Sequence, residues 1–230
     1  MVLWKDVPGI YSINPRWGIR SETIPYLNYQ EAIELSLMDT PVLHPSTIEP
    51  LIEPNIQMEV RHLYHSNHDE KTVIGPELPE KELKAVGCLP NVISLGFSHH
   101  HVDSHQRQLV KILGELAKNE VHWWGLESRL GDSRLIVSQH DMHRASTIFE
   151  QFNIDANHHQ HLGLLSLIGC KEADVETINT LFDTTEFELS WLNQTSSAAR
   201  VAIDGEDLSQ ALQLLYALIQ EQNTSVAQQS

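Results

Sequence analysis

Clustered histidines are the first residues in this sequence whose type and spacing could do chemistry, and that chemistry would be metal binding. Residues 99–101 are three consecutive histidines, and His158, His159 and His161 form a second group. Neighbouring side chains on an extended backbone point in opposite directions, so such a run does not direct three imidazoles at one ion. No cysteine or carboxylate stands at zinc-finger or His-Glu-x-x-His spacing. We therefore predict solvated loop histidines and no metal site.

The elements that would position these residues follow the order strand, helix, strand, strand, helix, and this order occurs twice. The first copy opens with a short apolar run that is typical of a buried strand. A helix with apolar residues at three- and four-residue spacing follows it. The predicted strands are 92–97, 121–126, 135–137, 162–168, 187–192 and 198–203, and the predicted helices are centred on 109–116, 142–152, 175–182 and 204–219.

The repeat period of roughly 65 to 70 residues is too long for a solenoid repeat and fits a small duplicated α+β domain. Two unrelated α/β sandwiches are the alternative that this pattern leaves open. Within the first copy, Trp123 and Trp124 are adjacent. In a strand, one of them would face the core and the other the surface or a partner, which makes the second a candidate interface residue.

Composition and charge exclude several functional classes. The formal net charge is −16, from 15 basic and 31 acidic residues, which argues against nucleic acid and anionic membranes as partners. No apolar run approaches the length of a membrane span, and the N-terminus has no signal-peptide hydrophobic region. Cys88 and Cys170 lie in or beside predicted strands without Cys-x-x-Cys spacing, which indicates buried, reduced thiols. We expect a soluble, cytoplasmic protein.

The first 75 residues lie outside the repeat and contain four short motifs. Residues 4–16 are WKDVPGIYSINPR, residues 29–35 are YQEAIEL, residues 42–50 are VLHPSTIEP, and residues 55–61 and 72–75 are NIQMEVR and TVIG. In this order they resemble the aspartate kinase segments WTDVPGIYTTDPR, (S/N)YxEAxEL, KVLHPRTIEP and NIPIxVRNT…GTxI. The chain therefore resembles the C-terminal part of the aspartate kinase family.

This resemblance implies a mixed α+β and α/β fold, with a partial amino-acid-kinase α/β segment followed by two ferredoxin-like (βαββαβ) ACT domains. We place the kinase remnant at residues 1–76, the first ACT domain at 82–157 and the second at 158–222, with strands open to exchange between the two. The tail 223–230 is predicted to be disordered. From the residues themselves, Asn28 is expected to begin a helix with Glu31 as its capping-box partner.

The complete family enzyme uses ATP and Mg²⁺, and the resemblance places Asp6, Tyr11 and Arg16 at nucleotide-contacting positions. The family's Lys-Phe-Gly-Gly motif does not occur in this sequence, and Pro41 stands where the family has a nucleotide-site lysine. A proline supplies neither a cation nor a backbone N–H for phosphoryl transfer. We expect this chain alone to contain no catalytic residue, to bind no cofactor and to leave aspartate unphosphorylated.

The resemblance also implies an effector site, because lysine or threonine binds in this family where the first ACT domain pairs with its twin in a second subunit. The ligand carboxylate would lie at a helix N-terminus. The corresponding turn here spans 98–105 and the facing strand spans 121–124. Trp124 stands where lysine-sensitive members have an aspartate, which removes a charged partner for a ligand ammonium. The candidate effector residues are Ser98, His101, Val102, Asp103, Ser104, Val121, His122, Trp123 and Trp124.

Three hypotheses follow from the residues and the resemblance. The first is the regulatory portion of an aspartate kinase, the enzyme that makes 4-phospho-L-aspartate in lysine, threonine and methionine biosynthesis; the chain would sense an amino acid and form a homodimer through its ACT domains. The second is a kinase completed by a separate N-terminal polypeptide, against which Pro41 argues. The third is a purely structural dimerisation module. Without the rest of its sheet, the segment 1–75 would expose strand edges and apolar surface. Three alternatives stay open: a partner covers this surface, the segment docks on the ACT domains, or the natural gene is degraded.

Overall fold

The computed structural model describes residues 1–38, 42–64, 70–77, 82–98, 102–185 and 187–227. At 102, 103, 159, 160 and 225–227 it describes the backbone alone. None of the helices within these ranges has both the length and the apolar character that crossing a membrane requires.

The first 75 residues form a four-stranded sheet with two helices. The elements are β1 Val2–Lys5, β2 Tyr26–Asn28, α1 Tyr29–Leu37, α2 Pro45–Ile52, β3 Met58–His62 and β4 Thr72–Gly75. The strand order is β1-β3-β4-β2, in which only the central β3–β4 pair is antiparallel. The predicted capping box begins α1: the Asn28 side chain accepts from the Glu31 backbone N–H at 2.9 Å, and the Glu31 carboxylate accepts from the Asn28 N–H at 2.8 Å.

The rest of the chain forms one six-stranded antiparallel sheet with four helices. Its strands are β5 Ala85–Ser98, β6 Trp123–Arg129, β7 Asp132–Ser138, β8 Asn157–Ile168, β9 Ser190–Gln194 and β10 Ala198–Asp204. Its helices are α3 Val102–Lys118, α4 Met142–Gln151, α5 Glu172–Asp183 and α6 Leu208–Ala227. The strand order is β6-β7-β5-β8-β10-β9.

Two long strands, β5 and β8, each serve both copies of the repeat. Residues 92–98 of β5 pair with β7, whereas residues 85–89 pair with residues 164–168 of β8, which also pair with β10. The first unit therefore has the order β6-β7-β5-β8 and the second has β9-β10-β8-β5, which is the βαββαβ arrangement in both cases. The last strand of the second unit precedes the whole first unit in the chain. The predicted limit at 157/158 coincides with the start of β8, and the domain limits stay a prediction.

The crossing point between the units is marked by unusual backbone conformations. Asn91 in β5 and His161 in β8 both have positive φ, 59° and 62°. The pairing register of the two strands shifts between Leu89 and Val92. A bulge of this kind bends a strand without ending it, so the chain passes from one unit to the other through Pro90. The strand predicted at 92–97 is thus the second half of a longer strand, because the bulge allows β5 to continue through a proline, which normally marks a strand boundary.

Helices cover one face of the six-stranded sheet in two groups. In the first unit, α3 and α4 pack against Leu95 and Leu135. In the second, α5 and α6 pack against Leu165 and Val201. The opposite face of the second unit contributes Ile168 to the core of the N-terminal sheet and α1. The N-terminal segment and the repeat are thus joined by a shared hydrophobic core.

Both cysteines are buried and carry reduced thiols, as the sequence predicts. Burial raises the pKa of the Cys170 thiol to about 12, and the carboxylate of Asp174 adds to this effect. A thiol with so high a pKa stays protonated at neutral pH and is a poor nucleophile or metal ligand.

Candidate functional site

The joint between the N-terminal segment and the six-stranded sheet is built around a buried ion pair. The Lys84 ammonium lies 2.9 Å from Glu31 Oε2 and 3.2 Å from Oε1, and these side chains are only 10% and 2% exposed. Lys84 lies just before β5, and Glu31 lies in the first turn of α1. The same ammonium lies 6.0 Å above the ring of Tyr26, whose hydroxyl donates to the carbonyl of Pro76 at 2.7 Å. Burial is the main cause that raises the pKa of Tyr26, so this hydroxyl remains a donor.

A second polar link at the joint is made by Arg200 on β10. One guanidinium nitrogen donates to the backbone carbonyl of Trp124 at 2.8 Å, and the other lies 2.6 Å from a carboxylate oxygen of Glu34 in α1. Arg200 therefore connects three parts of the molecule: the second unit, the edge strand β6 of the first unit, and the N-terminal segment. Sequence analysis did not identify this residue, although a single cation within the apolar run 198–203 is an unusual feature of a strand.

The loop that precedes β2 also packs on the second unit. The carbonyl of Ser12 accepts from the backbone N–H of Val86 in β5 at 2.8 Å. Ile13 is buried in the core formed with α5 and α6, and Trp17 and Ile19 pack against the same core. The loop at residues 10–19 and α6 therefore share one hydrophobic core.

The three predicted nucleotide contacts lie on or next to this loop. Asp6 follows β1 and is exposed, and Arg16 is exposed in a short 3-10 helix, Pro15–Trp17. Tyr11 is half-buried and forms an isolated bridge with Thr23. Their part in nucleotide binding stays a prediction. Pro41 lies outside the described residues.

The predicted effector turn lies at one end of the first unit. Ser98 is exposed at the end of β5, and Ser104 is half-buried in the first turn of α3. Val102 and Asp103 belong to the same turn, where the structure describes their backbone alone, and His101 lies outside the described residues.

The predicted facing strand begins at the other end of the same sheet. Val121 is buried, His122 and Trp123 are exposed, and Trp124 is half-buried with its indole N–H enclosed and unpartnered. Trp123 pairs with Val137, whereas Ser98 pairs with Asp132. Five residues along β7 correspond to about 17 Å, so one copy of the chain does not bring the two groups together. They would meet around one ligand only if two copies each contributed one group, and the site stays a prediction.

His105 forms a buried polar chain that the sequence did not predict. The side chain of His105 in α3 is fully buried, and it packs on Phe97 with ring centroids 4.9 Å apart. The Nε2 atom of His105 lies 2.8 Å from the hydroxyl of Ser133. The Ser133 hydroxyl donates to Ser128 at 2.9 Å. The position could have been found from the sequence, because 105, 109, 112 and 116 continue the apolar stripe of α3.

Metal binding gains no support from the structure. Among the described residues, no three His, Cys, Asp or Glu side chains are grouped so that they could hold an ion. His158 and His161 are exposed. The run 99–101 lies outside the ranges that the structure covers.

Comparison with known proteins identifies relatives of this chain in sequence and in structure. Residues 1–62 match the model of the amino acid kinase family. A bifunctional aspartokinase/homoserine dehydrogenase of Haemophilus influenzae is 40% identical over 97 residues, which are 42% of this chain and 12% of that protein.

Solved structures with the same fold are aspartate kinases. The Clostridium acetobutylicum aspartate kinase superimposes with a TM-score of 0.82 at 20% identity, over 94% of this chain and 53% of that one. Escherichia coli aspartokinase III, crystallised with lysine and aspartate, gives a TM-score of 0.76 at 20% identity, over 95% of this chain and 51% of that one. The chain thus spans about half the length of these two kinases. By its sequence and its fold, it is similar to the C-terminal part of aspartate kinases, the end of the amino-acid-kinase domain followed by two ACT domains.

Proposed function

We propose that this chain is an amino-acid-sensing regulatory portion of an aspartate kinase, which pairs with a second copy through its first ACT domain. The observation that supports this most strongly is the joint made by Lys84, Glu31 and Arg200. A regulatory domain acts on a catalytic one only through contacts that differ between two states. Here a ligand or partner that moves β6 would pull on α1 through the two hydrogen bonds of Arg200.

Pairing through the first ACT domain is supported by the distribution of exposed apolar side chains. Val110, Trp123, Leu126 and Leu130 are exposed on this domain. In the described part of the second ACT domain, no large apolar side chain is exposed to this degree. Exposed apolar residues of this kind favour a protein–protein contact on the first ACT domain, and Trp123 on the edge strand β6 is a candidate anchor residue for it.

Effector binding is tested by thermal unfolding of the purified chain with lysine, threonine, methionine or aspartate. A ligand at a hundred times its dissociation constant adds about 2.7 kcal/mol to the free energy of unfolding. We expect one of these amino acids to raise the melting temperature, and we expect Asp103→Asn or Ser104→Ala to abolish the rise. Ser209→Ala is the matched control, because Ser209 is an exposed serine in the first turn of α6.

The absence of a rise with all four amino acids at millimolar concentration would contradict the sensing function. Sedimentation velocity on the same samples measures whether the chain is a dimer and whether an amino acid strengthens that dimer. A dimer that no amino acid stabilises is the structural dimerisation module, whereas a dimer strengthened by the effector supports a sensor whose ligand lies between two copies.

The 230-residue chain is expected to show no ATP- and aspartate-dependent turnover in the presence of Mg²⁺. Positioning and charge neutralisation dominate phosphoryl transfer, and Pro41 supplies no cation where the family has a lysine. A coupled assay for ADP formation with and without aspartate measures this, with the Pro41→Lys variant as a companion. Aspartate-dependent turnover by the unmodified chain would contradict the proposal and would favour a working kinase.

A further inference from the structure

A cavity of about 360 Å³ lies at the joint, between the kinase segment, the stretch that leads into β5, and α6. Residues 22–26 line it from the kinase segment. Glu82 and Lys84 line it from the stretch before β5, and Gln220 and Asn223 line it from α6. These three segments are far apart in the chain, so the cavity exists only where the joint is assembled.

The segment that carries Glu22 is held in place by backbone hydrogen bonds. The carbonyl of Glu22 accepts from the N–H of Ser12 at 2.9 Å, and the N–H of Ile24 donates to the carbonyl of Ile10 at 2.7 Å. Burial is the main cause that raises the pKa of Tyr216 in α6, and the carboxylate of Glu22 adds to this effect. The Glu22 carboxylate therefore lies close to α6, at the border between the two parts of the molecule.

The charged groups that line the cavity are two carboxylates and one ammonium whose charge is already balanced. The Lys84 ammonium lies against both oxygens of Glu31 and over the ring of Tyr26. Glu22 and Glu82 are exposed, and neither forms an ion pair with any residue that the structure describes. The cavity thus has an excess of negative charge, which favours a cationic ligand and disfavours one that carries a carboxylate.

Neutral hydrogen-bond acceptors accompany the two carboxylates. The side-chain amides of Gln220 and Asn223 line the cavity, and so does Ser12, which is only 5% exposed. The hydroxyl of Ser12 lies 3.2 Å from that of Ser21, which itself donates to the carbonyl of Glu22 at 3.5 Å. Because a hydroxyl has a single hydrogen, Ser12 is the donor to Ser21, and its oxygen can still accept from a ligand N–H.

We infer that this cavity binds a flexible organic dication, a diamine or a short polyamine, with one ammonium at Glu22 and another at Glu82. Ser12 and the amides of α6 would accept the remaining N–H groups. The described residues contain no group of three His, Cys, Asp or Glu side chains that could hold a metal ion, so two separate charges match the cavity better than one ion. A cavity of this volume is on the order of 9 Å across, which accommodates an extended chain of about four or five methylenes.

A ligand in this cavity would connect the kinase segment to the second ACT domain. Residues 22–26 belong to the kinase segment, whereas α6 belongs to the second ACT domain. A dication bound between them would therefore add a link across the joint. This site goes beyond the proposed function and does not depend on it, because the predicted effector residues Ser98 and Ser104 do not line the cavity.

Isothermal titration of the full chain with 1,4-diaminobutane and with spermidine tests the inference. We expect at least one of them to bind with one ligand per chain. Binding should be at least tenfold weaker for butylamine, which lacks one charge, and for L-ornithine, which adds a carboxylate. Glu22→Gln and Glu82→Gln are each expected to weaken binding about 10-fold, because a hydrogen bond to a charged group is lost. Glu150→Gln is the matched control, because Glu150 is exposed on α4 in the first ACT domain.

A second variant, Glu82→Lys, places an ammonium of the protein itself in the cavity and is expected to abolish binding. Far-UV circular dichroism should stay unchanged, because Glu82 is exposed. The chain has a net charge of −16, which could attract polyamines without a site. More than one ligand per chain, or equal weakening by Glu150→Gln, would reveal such attraction and overturn the inference.

Two further results of the titration would also overturn the inference. Tighter binding of L-ornithine than of 1,4-diaminobutane would indicate an amino-acid site and not a site for a dication. Undetectable binding of both amines at about 10 mM, above any dissociation constant near 1 mM, would show that the cavity does not bind them.

Discussion

Replacing Lys84 by methionine is expected to lower the free energy of unfolding by about 3–5 kcal/mol. The substitution keeps most of the side-chain volume and removes the ammonium that lies 2.9 and 3.2 Å from the two oxygens of the Glu31 carboxylate. Glu31 is 2% exposed, so its charge would be left without a cation in a site that water does not reach. The capping hydrogen bond from the Asn28 N–H remains, but one neutral donor does not replace an ammonium. Urea or guanidinium denaturation of the purified variant measures the loss.

Lys71→Met is the matched control for this experiment. Lys71 pairs with Glu59 at 2.7 Å, but these side chains are 31% and 27% exposed. Arg61 is a second partner of the same carboxylate, and its hydrogen bond is the first cause of the lowered pKa of Glu59. An ion pair that water screens contributes about 1 kcal/mol or less. Equal losses in the two variants would show that the joint is no more than a surface ion pair.

A rescue variant separates the buried charge from lost packing. Glu31→Gln keeps an oxygen that can accept from the Asn28 N–H and removes the charge. The double variant Lys84→Met/Glu31→Gln is therefore expected to recover a large part of the stability lost in Lys84→Met alone. Losses that simply add would indicate that the charges do not interact.

Local sequence patterns predicted one role of Glu31 but not the other. The capping box with Asn28 depends on residues three apart, so the sequence contains all the information needed. The ion pair with Lys84 joins residues 53 apart, and it exists only because α1 packs on the sheet that Lys84 precedes. A periodic pattern in the sequence does not predict an ion pair between residues so far apart in the chain. The buried position of this carboxylate was therefore outside what a single sequence predicts.

The repeat was predicted correctly because its helices and strands have strong periodic patterns. An exchange of strands between the two units was left open, but the sequence did not identify which strands are shared. Pro90 lacks an N–H and normally marks the end of a strand, yet β5 continues through it from Ala85 to Ser98. The bulge at Asn91 accommodates the proline at the crossing of the two units. Nothing local distinguishes such a bulge from a loop. The position of the bulge divides β5 into two parts. Residues 85–89, before the bulge, pair within the second unit although they precede the first unit in the chain.

The candidate effector residues show the same limit at a larger scale. The turn at 98–105 and the strand at 121–124 were named together because the family resemblance groups them, and one copy of the chain separates them. A site shared between two copies is defined by the interface and not by either sequence segment. Arg200, which ties the carbonyl of Trp124 to Glu34, links this strand to the kinase segment in a way that neither motif reveals.

Gly169→Ala is expected to lower the free energy of unfolding by about 3–5 kcal/mol, because two costs combine at this position. Gly169 follows β8 with a φ of +79°, a conformation that costs an L-residue about 1–2 kcal/mol. An added Cβ would also overlap the backbone carbonyl oxygen of Glu82 and lie 3.5 Å from Glu31 Oε1. Backbone cannot rotate away as a side chain can, so the segment leading to Lys84 would have to shift.

Two glycine controls separate these costs. Gly18 has a φ of +72° with open space around its Cβ position, so Gly18→Ala is expected to lose only about 1–2 kcal/mol, from strain alone. Gly114 lies in α3 with no atom near its Cβ position, so Gly114→Ala should gain up to about 1 kcal/mol of helix propensity. A Gly169→Ala loss no larger than that of Gly18→Ala would contradict the predicted overlap with Glu82.

The combination of both joint variants tests whether Gly169 and the ion pair form one structural unit. The backbone N–H of Lys84 donates to the carbonyl of Ile168 at 2.9 Å, so the residue before Gly169 directly positions the lysine. If Gly169→Ala already displaces Lys84 from Glu31, then adding Lys84→Met should cost much less than it does in the unmodified chain. For residues in contact, we expect the loss in the double variant to differ from the sum of the two single losses by about 1 kcal/mol or more. Such a difference would identify the end of β8 as the element that holds the ACT sheet against the kinase segment.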